Sequence, residues 1–196
     1  MKPAYDGNQW TVDARGYSIR NGYEWVRPKQ AKYDWCKIVC SKWNYPKHAL
    51  ISWIVMNNGV MIKERLFQFN CCTDDRCWIC DSDTKTQSHL FYDCQYSKQV
   101  LRLTEQWCGF RIFVSSSNSR TGSSAGAGLK QTVHNLIWTA YYYYIWNQRI
   151  NFQLLKPGSV ADKIKEDVRR KIRRKLDKTC TRADNTWLQK WGVAIE

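Results

Sequence analysis

Residues 77–94, CWICDSDTKTQSHLFYDC, contain three cysteines and one of the three histidines in the chain. The spacing is Cys77-x2-Cys80-x8-His89-x4-Cys94. A Cys-x2-Cys pair can turn both sulfurs toward one ion, and zinc accepts mixed sulfur and nitrogen donors in a tetrahedron. This spacing therefore predicts a zinc site.

The predicted site is structural, because four protein ligands leave no open position on a tetrahedral ion. The loop between Cys80 and His89 is polar, so it can close back over the ion. On an unbroken α-helix, His89 and Cys94 would lie about 140° apart. We therefore expect a bend between them, or an ion held at a frayed helix end.

Other readings of the cysteines remain open. The four ligands can instead be scattered buried thiols with one hydrogen-bonded histidine, and Cys71 or Cys72 can replace one of them. Cys36 and Cys40 are four residues apart on a predicted helix and are read as packed thiols. The total of nine cysteines is odd, which favours a reducing compartment over a disulfide framework.

The composition is that of a folded chain of one domain, or one domain with a small appendage. It has 196 residues, with 11 Trp, 11 Tyr and 6 Phe to fill a core. No apolar run is long enough for a transmembrane helix, and the N-terminus lacks the apolar segment of a secretory signal. We expect an intracellular protein, nuclear or cytoplasmic and not secreted, with no membrane partner.

The fold class is predicted to be mainly α. An irregular N-terminal segment with short extended pieces leads into a helical core stapled by one zinc site, followed by a flexible linker and C-terminal helices. Apolar periodicity and helix-ending residues predict helices at 31–43, 48–58, 62–69, 97–109, 129–153, 160–178 and 186–192. Pro46 is read as a break, and Ser97 and Ser159 as N-caps.

The domain boundaries follow from composition. Residues 1–114 are predicted to form the zinc-binding domain. Residues 115–128, SSSNSRTGSSAGAG, are of low complexity and read as a flexible linker. Residues 129–196 are predicted to form a C-terminal helical region with a basic amphipathic helix.

The ligand pattern, continued by HLFYDCQYS at 89–97, resembles the zinc-binding domain that follows the reverse transcriptase in plant non-LTR (LINE-type) retrotransposons. The likeness covers about residues 16–110. The supporting stretches are GYSIRNGYEWV at 16–26, KIVCSKW at 37–43, PKHALISWIVMNN at 46–58 and MIKERLFQF at 61–69, with IWNQRINF at 145–152 and LQKWG at 188–192 as a weaker tail.

The resemblance implies a non-catalytic zinc module derived from a retrotransposon polyprotein. It would contact RNA or DNA with low sequence specificity, as an accessory to reverse transcription, and would have a reverse transcriptase domain as a possible partner. The implied ligands are Cys77, Cys80, His89 and Cys94. The adjacent pair Asp74-Asp75 lacks flanking apolar strands and is read as a solvated turn. We therefore expect no polymerase or endonuclease activity.

The net charge of +14 favours contact with phosphates. Residues 71–95 nevertheless carry five aspartates against Arg76 and Lys85, so the zinc segment itself should repel phosphates. The helix at 160–178 is the better candidate, with an inner stripe of Val160, Ile164, Val168, Ile172 and Leu176. Its candidate nucleic-acid contacts are Lys163, Lys165, Arg169, Arg170, Arg173 and Arg174.

Each of these residues also has an ordinary structural interpretation. The basic helix can be an ordinary solvated face, and a membrane-surface helix is disfavoured because its apolar side lacks bulky aromatics. Trp78, Phe91 and Tyr92 can stack on bases but are read as core, and His48 and His134 are read as structural. The alternative function is a scaffold that packs against a polymerase domain through aromatic surface, without binding nucleic acid.

Overall fold

The structure is a computed structural model that describes part of the chain. The described residues are 4–5, 10–11, 23, 26, 33, 35–70, 76–77, 79–81, 86–112, 128–150, 154–174 and 188. The chain divides into two compact units, Met1–Lys32 and Tyr33–Glu196. In the first unit, β1 (Ala4–Tyr5) pairs antiparallel with β2 (Trp10–Thr11), which agrees with the predicted short extended pieces.

The second unit is built from helices, which confirms the mainly α class. They are α1 (Trp35–Val39), α2 (Pro46–Met56), α3 (Lys63–Gln68), α4 (Gln95–Cys108), α5 (Leu129–Ile150) and α6 (Pro157–Arg173), with a π-helical turn at His89–Asp93 just before α4. None of the described helices is both long and apolar enough to cross a membrane.

Helix α5 lies at the centre of this unit. It packs against α2 and α6, while α4 packs against α6 and the π-helical turn. The apolar residues of α5 recur at helical spacing and are buried, as the sequence pattern predicted. The fully buried apolar and aromatic residues of α5 are Val133, Ile137, Tyr141, Tyr142 and Ile145.

Helix α1 is shorter than predicted because a side chain ends it. The buried Asn44 amide donates hydrogen bonds to the carbonyls of Ile38 (2.6 Å) and Val39 (3.0 Å). These carbonyls belong to the last turn, where no intrahelical donor follows. The helix therefore stops at Val39, and the predicted extent to residue 43 was wrong.

Proline sets the start of two helices. Pro46 and Pro157 both occupy the first turn, where proline fits because no intrahelical partner awaits its missing N–H. Pro46 therefore begins a helix that was predicted to start at residue 48. For α6 the N-cap is Lys156, so the predicted cap at Ser159 was wrong.

Two predicted helix ends are confirmed. Asn58 adopts a left-handed conformation (φ 52°) after α2, and the Gly59 N–H donates to the Ile54 carbonyl at 2.7 Å. This pattern is a Schellman motif. Gly109 (φ 73°) ends α4 in the same left-handed region.

Several predictions fall largely outside the described residues. They include the linker apart from Gly128, the helix at 186–192 apart from Leu188, and residues 151–153 and 175–178. The three-part division into 1–114, 115–128 and 129–196 stays a prediction. Helices from both sides of the predicted linker nevertheless pack on each other, α5 on α2 and α6 on α4.

Candidate metal centre

The structure brings all four predicted ligands together. The ligand atoms of Cys77, Cys80, His89 and Cys94 all lie within 4.8 Å of one another. The Cys80 Sγ is 3.2 Å from the His89 Nε2. Cys77 and Cys94 are fully buried, His89 is buried and Cys80 is half-buried. Three sulfurs and one imidazole in a shielded cluster match a structural zinc donor set.

The first two ligands come from a tight turn. The Asp81 N–H donates to the Cys77 carbonyl at 2.6 Å, and Asp81 adopts a left-handed conformation with φ 51°. Aspartate tolerates this conformation better than most residues. The turn folds Cys80 back beside Cys77, which is the arrangement that the Cys-x2-Cys spacing predicted.

The hydrogen bonds around the sulfurs favour a bound cation. Hydrogen bonding shared with the Cys94 thiol lowers the pKa of Cys77, and the backbone N–H groups of Cys80 and Ile79 act in the same direction. The same shared proton, with burial, raises the pKa of Cys94. Zinc binding displaces that proton, because the thiolate is the form that binds metal.

A π-helical turn places the other two ligands. The Cys94 N–H donates to the His89 carbonyl at 2.8 Å, which closes a wider ring than the α-helical bond four residues back. The wider turn brings residues five apart onto one side. The expected bend between His89 and Cys94 is therefore this turn, and Cys94 then serves as the N-cap residue of α4.

Side chains hold the π-helical turn in place. The His89 N–H donates to the Thr86 hydroxyl at 2.9 Å. Ser97 donates to the Leu90 carbonyl, and Tyr141 of α5 donates to the Phe91 carbonyl, both at 2.6 Å. Ser97 thus acts inside the first turn of α4, and its predicted role as N-cap was wrong.

The sequence reading missed Thr86 and Tyr141 as supports of the site. Thr86 stands three residues before a ligand, a spacing at which a hydroxyl commonly accepts an N–H, so a local signal was present. Tyr141 is 50 residues from its acceptor. No local pattern connects two positions so far apart in the chain.

Other candidate ligands are not assigned by the structure. Cys71, Cys72, the Asp74-Asp75 pair and Trp78 lie outside the described residues. Cys36 is half-buried and Cys40 is exposed, so the prediction of a packed thiol was wrong for Cys40. Within the described part of the chain, Cys77, Cys80, His89 and Cys94 are the group found with metal-ligand geometry.

Phe91 and Tyr92 of the zinc segment pack in or against the core. Phe91 is fully buried. The Tyr92 hydroxyl lies 2.7 Å from the Tyr142 hydroxyl, and the two rings pack edge to face. The reading of Phe91 and Tyr92 as core therefore describes their positions better than base stacking does.

Helix α6 has the predicted amphipathic pattern. Val160, Ile164, Val168 and Ile172 are buried, and Leu176 lies outside the described residues. Of the predicted contacts, Lys165 and Arg169 are half-buried, and the exposed ones are Lys163, Arg170, Arg173 and Arg174. Their contact with nucleic acid stays a prediction.

Some of these cations have partners within the protein. Arg170 lies 3.5 Å from Glu166 and 3.8 Å from Asp167. The Lys165 ammonium lies 5.9 Å from the centre of the Trp107 ring. Cations near the end of a helix also interact favourably with its dipole, so part of this charge serves the helix itself.

His48 and His134 lie in packed surroundings. His48 is 1% exposed, and its Nε2 is 3.6 Å from the Asp167 carboxylate. Burial lowers the pKa of His48 to about 4 and outweighs the opposite effect of Asp167. Burial also lowers the pKa of His134. Both imidazoles are therefore neutral at pH 7.

Residues 17–100 match a protein-family model described as zinc-binding in reverse transcriptase. The match contains all four ligands and agrees with the segment that the resemblance indicated. Comparisons with curated proteins and with solved structures give no significant match. The family and the geometry agree on one zinc site, formed by Cys77, Cys80, His89 and Cys94. Residues 17–100 of this chain are thus similar to the zinc-binding domains found in reverse transcriptases.

Proposed function

We propose that this protein is a non-catalytic zinc module derived from a plant LINE-type retrotransposon polyprotein, and that it binds RNA or DNA with low sequence specificity as an accessory to reverse transcription. The observation that carries the proposal is the exposed basic end of α6, with Arg170, Arg173 and Arg174. The zinc site of the same chain lies within the match to the family described as zinc-binding in reverse transcriptase. A chain of net charge +14 attracts phosphates at long range.

The role of zinc in this proposal is structural. Four protein donors complete a tetrahedral ion, so no position remains for a reacting water. The ion would fix the π-helical turn and, through it, the start of α4. Because α4 packs against α6, the metal would hold the basic helix on its support and would not itself touch the nucleic acid.

The test is the salt dependence of binding to a mixed-sequence single-stranded RNA and to a DNA duplex. We expect affinity to fall steeply between about 50 and about 200 mM salt, because each neutralised phosphate releases counterions. The double variant Arg173→Gln/Arg174→Gln should bind more weakly and reduce the slope of log K against log salt by about 1.4 for RNA and about 1.8 for duplex.

A matched control removes the same charge elsewhere. Lys98 and Arg102 are exposed on α4, so Lys98→Gln/Arg102→Gln has the same net charge as the α6 variant. We expect the control to keep nearly the wild-type slope. Equal slopes for the two variants would mean that only net charge matters, and no binding by the wild type at low salt would refute the proposal.

A second candidate function is the scaffold that docks on a polymerase domain. Exposed apolar side chains favour it, since Leu50 is 57% exposed, Trp53 is 52% exposed, and Phe67 is also exposed. Leu50 and Trp53 are three residues apart on α2 and share a face. A Leu50→Gln/Trp53→Gln variant that loses binding to a purified reverse transcriptase domain, while the wild type binds no nucleic acid, would favour this function.

A further inference from the structure

The beginning of α2 and the second half of α6 are joined by side chains. Tyr45, the N-cap residue of α2, donates a hydrogen bond to the Asp167 carbonyl at 3.3 Å. His48, in the first turn of α2, lies against the Asp167 carboxylate. Two segments more than a hundred residues apart in sequence thus form one continuous surface.

Two lysines on this surface are positioned by aromatic rings. The Lys171 ammonium lies 4.6 Å from the centre of the Tyr45 ring. The Lys47 ammonium lies 4.8 Å from the centre of the Tyr143 ring. Cation–π contacts of this kind favour one placement of a side chain that is otherwise flexible. The positive charges are thereby held near the protein surface before any ligand arrives.

Cations outnumber acids on this surface. Arg170 and Arg174 act electrostatically on the Tyr45 hydroxyl, and Lys47 and Lys171 act on His48, which places all four cations around this junction. The nearby Asp167 carboxylate is mostly buried and accepts a hydrogen bond from Tyr144 at 2.6 Å. Glu166 is the exposed acid nearby, so the outward charge is positive.

The first turn of α2 adds to the positive electrostatic potential of this surface. The N-terminus of a helix carries a partial positive charge and presents backbone N–H groups. The Tyr45 side chain does not cap that turn, and Lys47 within it is exposed. A phosphate placed here would meet a helix dipole and lysine ammonium groups together.

We infer that nucleic-acid backbone phosphates bind at the surface formed by Tyr45, Lys47, Arg170, Lys171 and Arg174, which we call the α2–α6 surface. The inference rests on the proposed nucleic-acid function and locates its main contact at two helices instead of along α6 alone. Ammonium groups lie over the Tyr45 and Tyr143 rings, so the surface offers cations and not bare ring faces. Binding there would be insensitive to base sequence.

The test uses the full chain loaded with zinc and the same RNA and DNA probes. Lys47→Gln/Lys171→Gln should weaken binding at every sequence and lower the log–log salt slope by about 1.4 for RNA and about 1.8 for duplex. Lys47→Arg/Lys171→Arg keeps both charges and should keep the wild-type slope. Lys98→Gln/Arg102→Gln on α4 is the control of equal charge. Zinc content and circular dichroism of each variant establish that it is folded.

The outcomes separate this inference from the proposed function. If the wild type binds and the Arg173/Arg174 variant is impaired while Lys47→Gln/Lys171→Gln matches the wild type, the α2–α6 surface is refuted and the function stands. If the wild type binds neither probe, both are refuted. If the Lys47/Lys171 variant loses binding to anionic phospholipid vesicles and the wild type prefers vesicles to both probes, the ligand is a membrane surface and the inference is overturned.

Discussion

Cys94 has two structural roles at one position. It is a fully buried member of the zinc cluster and also the N-cap residue of α4. Serine is a favoured N-cap residue but a poor zinc donor. Cys94→Ser therefore removes a metal ligand but keeps a residue type that suits the N-cap position, so an effect of this variant reports the loss of the thiolate.

We expect Cys94→Ser to purify without stoichiometric zinc and to unfold at lower temperature than the wild type. Structural zinc binding is typically worth on the order of 10 kcal/mol at neutral pH, which is comparable to the stability of a whole domain. Elemental analysis and thermal unfolding measure the two effects. Cys40→Ser changes an exposed thiol outside the cluster and should retain one zinc per chain. A Cys94→Ser protein with one tightly held zinc would contradict the assigned ligand set.

His48 makes the stability of the protein depend on pH. Burial lowers its pKa from 6.5 in the unfolded chain to about 4 in the fold, so the unfolded state binds more protons between these values. The neutral imidazole therefore stabilises the fold fully above pH 6.5, and that contribution is lost as pH falls toward 4. Between pH 7 and pH 5.5 the loss amounts to about 1 kcal/mol.

The measurement is urea unfolding of the wild type and of His48→Gln at pH 7 and pH 5.5. Glutamine does not titrate, so the free energy of unfolding of the variant should fall by about 1 kcal/mol less than that of the wild type between pH 7 and pH 5.5. Any release of zinc in acid affects both proteins and cancels in the difference. Equal losses in the two proteins would show that His48 is not held neutral by the fold.

The helices themselves could be predicted from the sequence, but several of their ends could not. Apolar residues at helical spacing located α2, α5 and α6, and glycine or Asn-Gly located two C-termini. The end of α1 depends on the Asn44 side chain, six residues beyond the Ile38 carbonyl that it caps. The His89–Cys94 spacing called for a bend, but it did not specify a π-helical turn, because one of the bonds that hold this turn comes from Tyr141 of α5.

Replacing Tyr141 tests whether helix α5 supports the π-helical turn. Its hydroxyl donates to the Phe91 carbonyl at 2.6 Å and also lies 3.3 Å from the Ser97 carbonyl. Tyr141→Phe leaves a buried acceptor without this donor, which should cost about 1–3 kcal/mol. Because the loss falls on the turn that carries His89, zinc affinity should fall as well. Urea unfolding and competition with a zinc chelator measure the two effects.

The control for Tyr141→Phe is Tyr33→Phe. Tyr33 is exposed and stacks on Trp35, so loss of its hydroxyl should change stability by less than about 0.5 kcal/mol. If Tyr141→Phe has wild-type stability and zinc affinity, the π-helical turn does not depend on α5. The metal centre would then be held by its local sequence alone.

At the scale of the whole molecule, the zinc centre could be predicted and its surroundings could not. All four ligands lie within 18 residues, so spacing alone identified them. The support of the π-helical turn comes in part from a distant segment of the chain, because Tyr141 of α5 bonds to Phe91. The Ser/Gly-rich composition of residues 115–128 predicted a domain boundary there. Such a composition indicates a flexible backbone, but it does not indicate which helices pack together across the segment.

The packing gives a direct test of that boundary. Helix α5 follows the Ser/Gly segment, yet its Ile137, Tyr141 and Ile145 are fully buried, and the helix packs on α2 and on the π-helical turn. Helix α6 packs on α4 in the same way. A piece that ended at residue 114 would expose the surfaces of α2 and α4 that these helices cover. Hydrophobic burial therefore favours one cooperative unit over two independent domains.

A protease site inserted between Ser117 and Asn118 makes this testable. After cleavage, we expect the two pieces to elute together in size-exclusion chromatography, to keep one zinc, and to unfold in one transition. The wild-type chain treated with the same protease is the control. Pieces that separate under native conditions, with the 118–196 piece unfolding cooperatively by itself, would establish two domains and remove α5 from the support of the zinc site. Pieces that stay together until a chelator is added would show that the metal and the α5 interface stabilise each other.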